Sequence, residues 1–126
     1  MPGSHLSPGL VWFRADLRLG ENPAWDAATA AHETVVALFV LEPRLWEAAG
    51  AHRRDQLAAH LGALDRSLAA RGGRLRVRRG DPVRVVPLEA AATGAARAYW
   101  NGDATPYACR RDAAVRRALG EAAQEH

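Results

Sequence analysis

Three times along this chain a side chain able to cap a helix stands directly before a proline: Asn22-Pro23, Asp81-Pro82 and Thr105-Pro106. This is the preferred order for an N-cap and the first helical position. The cap oxygen satisfies an orphan backbone N–H, and proline has no N–H to leave unpaired. Short apolar runs at 10–13, 35–40, 75–77 and 98–100 are rich in β-branched or aromatic residues and read as strands. Between and after them, residues 24–31, 53–71, 83–92 and 107–123 are rich in Ala and Leu at helical spacing. Leu57, Leu61, Leu64 and Leu68 mark one buried stripe on the second of these helices.

Gly72-Gly73 and Gly94 supply helix stops that tolerate left-handed backbone. Glu42-Pro43 opens a short helical turn through Ala48, leaving 50–52 as a loop. Strands joined through helices must run parallel. With right-handed crossovers this predicts an α/β fold, a Rossmann-like doubly wound parallel sheet in three α/β/α layers. Its four strands are expected in the order 3-2-1-4. The alternation Arg74-Leu75-Arg76-Val77-Arg78-Arg79 suits a guarded sheet edge with one solvated face.

A chain of 126 residues fits one domain, expected over 10–126, with 1–9 as a flexible lead-in. Charged residues make up 25% and no apolar run approaches the ~20 residues that span a bilayer, so a soluble protein without a membrane partner is expected. The lone Cys109 cannot form an internal disulfide, which suits a reducing cytoplasm. The net charge of +3 is weak evidence for nucleic acid, because all 17 basic residues are Arg and Lys is absent, a pattern of GC-rich coding. No direct nucleic-acid site is expected.

The run Leu10-Val11-Trp12-Phe13-Arg14-Ala15-Asp16-Leu17-Arg18-Leu19, followed by Asn22-Pro23, passes abruptly from a buried strand into a charged loop. It resembles the opening of DNA photolyases and cryptochromes. Further segments are similar in order and spacing: Phe39 to Pro43, Arg53-Arg54, Gly73-Arg74-Leu75, Arg79 to Pro82, Tyr99 to Asp103, and Pro106-Tyr107 with Arg110-Arg111-Asp112. The resemblance implies the N-terminal α/β domain of that family, which holds an antenna chromophore such as a deazaflavin, flavin mononucleotide or a reduced folate. It also implies that the catalytic FAD belongs to a C-terminal helical domain beyond this chain. Deoxyribodipyrimidine photo-lyase activity is therefore not expected from this chain alone, and an FAD-binding photolyase domain or chain is the expected partner. The family's fifth strand is expected to be missing, and the sheet edge so uncovered favours self-association.

Ligands of open parallel sheets settle beyond the carboxyl ends of the strands, where the strand order reverses. Loops starting at Arg14, Leu41 and Asn101 meet there, with Trp12 and Phe39 as aromatic walls. The resemblance implies chromophore contacts at Phe39, Leu41, Glu42, Arg53, Asn101 and Asp103. Arg14 is a further candidate, able either to bind or to fix its loop, whereas Asp16 and Arg18 are expected to be structural.

Two departures from the family pattern stand out. Ala15 replaces a frequent second Arg, and Thr105 replaces a Glu expected to meet a pterin or deazaflavin ring. A remnant or interaction module that keeps the fold without the chromophore is thus an alternative, as is an independent nucleotide-binding Rossmann-like protein. The chain has no Gly-x-Gly-x-x-Gly, no Walker-type loop, no nucleophile elbow and only scattered histidines. Dinucleotide, nucleoside-triphosphate, hydrolase and zinc sites are therefore not expected.

Overall fold

The computed structural model describes residues 7–126. Its elements are β1 (Gly9–Phe13), α1 (Pro23–Ala31), β2 (Val35–Leu41), α2 (Pro43–Ala48), α3 (Ala51–Ala69), β3 (Leu75–Arg79), α4 (Pro82–Thr93), β4 (Arg97–Trp100), α5 (Pro106–Leu119) and β5 (Ala123–Glu125). The five strands lie in the order β3-β2-β1-β4-β5 and every pairing is parallel. All three cap–proline pairs open helices. The side chains of Asn22, Asp81 and Thr105 accept hydrogen bonds from the N–H groups of Trp25, Val83 and Ala108 respectively.

Alternation along the strands divides the core into two layers. Val11, Phe13, Ala37 and Tyr99 pack with Ala24, Trp25 and Ala28 of α1 and Leu64 and Leu68 of α3. Leu10, Trp12, Leu38, Val40, Ala98 and Trp100 face the other way, onto Val86 and Ala90 of α4 and Val115 of α5. A strand buried on both faces must be apolar throughout, which is why β1 is buried at all five positions. Of the leucine stripe on α3, Leu64 and Leu68 are fully buried while Leu57 and Leu61 are only half-buried. β3 lies at the sheet edge as its arginine alternation predicts, with Arg76 and Arg78 both paired to Glu89 at 2.9 and 3.3 Å.

The structure corrects several boundaries. The fifth strand is present: α5 stops at Leu119 rather than continuing to residue 123, because Gly120 takes φ +63 and turns the chain through a short 3₁₀ segment. Ala123–Glu125 then pairs with Ala98, Tyr99 and Trp100, so the far side of β4 is covered. The uncovered edge offered as a reason for self-association is therefore not that of β4.

α3 begins at Ala51, two residues before the expected start, and takes in part of the expected 50–52 loop. Of the lead-in expected over 1–9, Met1 to Leu6 lie outside the described residues. The rest is tied into the fold: Ala96 N–H donates to the Pro8 carbonyl at 2.9 Å, and Gly9 is the first residue of β1. No described helix is long and apolar enough to cross a membrane.

Candidate functional site

Where β1 leaves the sheet, the charged loop folds on itself. An Asp16 carboxylate oxygen accepts the Arg14 N–H at 3.1 Å, and the Arg18 guanidinium donates to the carbonyls of Gly20 and Glu21. Asp16 and Arg18 thus shape the loop. Asn101, at the exit of β4, ties this loop to α1. Its Oδ1 accepts the Ala24 N–H at 2.9 Å, and its Nδ2 donates to Asn22 Oδ1 at 2.7 Å and to Asp16.

A row of charges runs beside this knot. Arg14 makes a two-pronged contact with Asp112, at 2.7 and 3.1 Å, and donates to the Asn101 carbonyl. Arg111 donates to Asp112 at 3.2 Å and to Glu42 at 3.0 Å, and Glu42 also accepts the Tyr107 hydroxyl. Asp112 is only 1% exposed, so its charge is tolerable only because two guanidiniums face it. Both guanidiniums lie over Trp12, at 4.6 and 5.2 Å from the ring centroid. Trp12 is itself fully buried and packs against Trp100. The aromatic wall expected of Trp12 is therefore a core residue roofed by arginines, because its parity along β1 points it to the α4/α5 layer.

On the other side of the row, a cleft of about 260 Å³ opens over the carboxyl ends of β1 and β2, beneath α2 and the start of α3. Of the seven sequence candidates, Arg14, Phe39, Leu41, Glu42, Arg53 and Asp103 line it. Asn101 does not; it borders a smaller depression of about 100 Å³ beside Asp16 and Gly102. Phe39 and Leu41 share a parity on β2, with Phe39 in the floor and 8% exposed. The candidates also differ in how far they are committed elsewhere. Arg14 and Glu42 are held in ion pairs, whereas Arg53 is exposed and its side chain, among the described residues, makes no hydrogen bond or ion pair.

Several lining residues escaped the sequence reading as site residues, among them Leu45, Trp46, Arg54 and Arg111. Arg54 braces α2, donating from Nε to the Trp46 carbonyl at 2.9 Å with its guanidinium 4.9 Å from the Trp46 ring. The start at Pro43 was a signal for Trp46, since a helical turn there puts Leu45 and Trp46 opposite the first turn of α3. Arg111 stood in a segment that carries the family resemblance, but nothing local marked it as a site residue, and it reaches the cleft because α5 packs across the sheet. Ala15 also lines the cleft and adds no charge to it, and Thr105 serves as the α5 cap.

Tyr107 has a pKa raised above the usual phenol value. Burial is the main cause, followed by its hydrogen bond to Glu42 and the Glu42 charge, with Arg111 pulling the other way. A folded-state pKa above the unfolded value of about 10 favours the neutral phenol. The associated stability is complete below about pH 10 and is lost as pH climbs through the folded value. In a Tyr99→Phe background, where Tyr107 is the only tyrosine, tyrosinate absorbance is expected to rise with a midpoint above that of free tyrosine. Glu42→Gln should move the midpoint down, and an unchanged midpoint would remove Glu42 as a cause.

Comparison with known proteins follows the same outline. The DNA photolyase family model matches residues 9–125. The deoxyribodipyrimidine photo-lyase of Streptomyces griseus is 39% identical over 122 residues, which is 95% of this chain and 27% of that protein. The crystal structure of a bacterial class III photolyase from Agrobacterium tumefaciens superposes with TM-score 0.85 at 32% identity, over 95% of this chain and 25% of that one. An archaeal photolyase from Sulfolobus tokodaii, described with two FAD molecules and a novel light-harvesting cofactor, gives TM-score 0.82 at 27% identity, over 94% and 28% of the two chains. The chain thus spans about a quarter of the length of these relatives.

Proposed function

The chain belongs to the DNA photolyase family, and on that premise we propose that it is the light-harvesting domain of a deoxyribodipyrimidine photo-lyase or cryptochrome, binding an antenna chromophore in the cleft between α2, α3 and the ends of β1 and β2. One observation carries this reading. Residues from five separate segments, represented by Arg14, Phe39, Arg53, Asp103 and Arg111, converge on a single apolar-walled cleft at the carboxyl edge of the sheet. The position is the usual one for a ligand in a doubly wound fold.

The donor set fits a flat ring with polar edges. Phe39, Leu41, Leu45 and Trp46 offer apolar and aromatic surface, and Asp103 offers an acceptor for ring N–H groups. Complete small-molecule sites usually enclose roughly 300–1,000 Å³. At about 260 Å³ the cleft takes a ring system, with the free Arg53 of its lining available to an acidic tail. When bound, such a group supplies absorption of near-ultraviolet or blue light and transfer of the excitation. The protein supplies the fixed position and keeps water from the ring. The excitation would pass to an FAD, and we place that cofactor in a helical partner domain or chain. Repair of pyrimidine dimers belongs to the assembled pair, and a reducing cytoplasm is the matching compartment.

The test is a titration with a deazaflavin, flavin mononucleotide and a reduced folate, read by absorbance and fluorescence. One of the three should bind saturably. Arg53→Ala should weaken binding by about tenfold to a hundredfold, the worth of one charge-assisted contact. Absence of saturable binding by all three, from protein with native circular dichroism, would overturn the reading. It would favour a module that keeps the fold without the chromophore, which is the direction in which Ala15 and Thr105 point.

A further inference from the structure

Glu42 and Arg111 form a wall with a second side. Behind it lies another cleft, of about 510 Å³, over the ends of β2 and β3 and against the first turns of α4 and α5. Its apolar surface comes from Pro43, Val83 and the ring of Tyr107, which is 44% exposed. The ring is held in place: its hydroxyl is anchored on Glu42, and the Arg111 guanidinium sits 5.4 Å from its centroid. The loop from β3 comes in tightly at Gly80, whose φ of +146 suits glycine and where a Cβ would lie 2.9 Å from Val85.

The charges of this cleft are unevenly committed. Arg111 is paired to Glu42 and Asp112, and Asp81 caps α4 by accepting the Val83 N–H at 3.0 Å. Arg44 and Arg110 also line the cleft, and among the described residues neither side chain makes a hydrogen bond or an ion pair. Two free guanidiniums therefore stand beside a fixed, half-exposed aromatic face. A planar fork with five donors suits a carboxylate or phosphate, and the ring beside it suits stacking.

We propose that this cleft is a second binding site, separate from the antenna cleft, for a small planar aromatic anion. Its ring would lie on Tyr107 between Pro43 and Val83, and its carboxylate or phosphate would be taken by Arg44 and Arg110. The volume falls within the range of small-molecule sites, and the site shares with the antenna cleft only the Glu42–Arg111 wall. The proposal does not depend on chromophore binding.

The experiment is a ¹H–¹⁵N NMR titration of the 126-residue chain with phenyl phosphate, with benzoate, and with inorganic phosphate as the ring-free control. Phenyl phosphate or benzoate should produce saturable shifts at the amides of Gly80, Val83 and Tyr107, and the stronger of the two identifies the preferred anion. Arg44→Ala/Arg110→Ala should weaken this binding by at least about tenfold, a loss of 1.4 kcal/mol or more. That variant removes no side-chain hydrogen bond or ion pair among the described residues, so its spectrum away from the two substitutions should match the parent. Arg53→Ala, in the antenna cleft, should leave the affinity unchanged. Three results would each overturn the proposal: no saturable shift at these amides, equal shifts from inorganic phosphate, or an affinity that survives the double substitution. Failure of chromophore binding would be read separately, at Phe39 and Leu41.

Discussion

Asp112→Ala is expected to cost about 3–5 kcal/mol of folding stability, the usual loss when one partner of a buried ion pair is removed. Asp112 is 1% exposed, and the guanidiniums of Arg14 and Arg111 that converge on it have side chains only 10% exposed. Without the carboxylate, two like charges remain close together over Trp12 with little water to screen them. A domain of this size has roughly 5–15 kcal/mol in total, so the loss would be visible as a large fall in the urea midpoint. A substitution at exposed Asp55, for which the structure shows no ion pair among the described residues, should stay within about 0.5 kcal/mol. Arg14→Met combined with Asp112→Leu should recover part of the deficit, since apolar replacement of a whole buried pair is often close to neutral. A loss below about 1 kcal/mol for Asp112→Ala alone would mean that the row of charges contributes little to the fold.

Asn101→Ala is the second large effect, and it separates scaffold from ligand contact. The substitution strands the buried Ala24 N–H and removes a donor from Asp16, and each buried group left unpaired costs about 1–3 kcal/mol. A combined loss of about 2–4 kcal/mol is expected in denaturant unfolding. Asn22 keeps the Trp25 N–H as a partner and adds little to the cost. Because Asn101 does not border the antenna cleft, chromophore affinity of the folded variant should change by less than about threefold, a fraction of a kcal/mol. A stable Asn101→Ala protein that no longer binds would reverse this assignment and make Asn101 a direct ligand contact.

The two sides of the Glu42–Arg111 wall give the domain a property that neither cleft has alone. Arg111 borders both, with its charge held by Glu42 and Asp112 and its plane held between Trp12 and Tyr107. A side chain fixed from four directions cannot follow a ligand on one side without disturbing the other. Double substitution of residues across this wall should therefore be non-additive.

Much of this protein is legible in the residues because its signals are local. Asn22-Pro23, Asp81-Pro82 and Thr105-Pro106 specify helix starts through hydrogen bonds that span only two or three residues, and the structure makes each of those bonds. The apolar runs of β1 and β2 announce strands covered on both faces, and the arginine alternation of β3 announces an edge. From these the parallel, doubly wound sheet follows, because strands joined through helices run parallel and their crossovers are right-handed. Ala123-Gln124-Glu125 carries no such signal. Its residues are neither β-branched nor alternating, and it is a strand only because β4 offers an open row of backbone donors and acceptors after Gly120 ends α5.

The site divides in the same way. Phe39, Leu41 and Arg53 were legible as candidates through the family resemblance of the segments that carry them, and all three line the cleft. Arg111, Asp112 and the role of Trp12 were not, because a helix of mixed Ala and Arg does not state which of its arginines points inward. That was decided by the packing of α5 against β4 and β1, which buries Asp112 and leaves its charge no partners except Arg14, 98 residues away, and its own neighbour Arg111. By itself the sequence determined the elements and their order, since caps, prolines and apolar period act over a few residues. Tertiary structure alone decided which charges are buried together, and so which arginines remain free to bind, because desolvation depends on the whole surrounding chain.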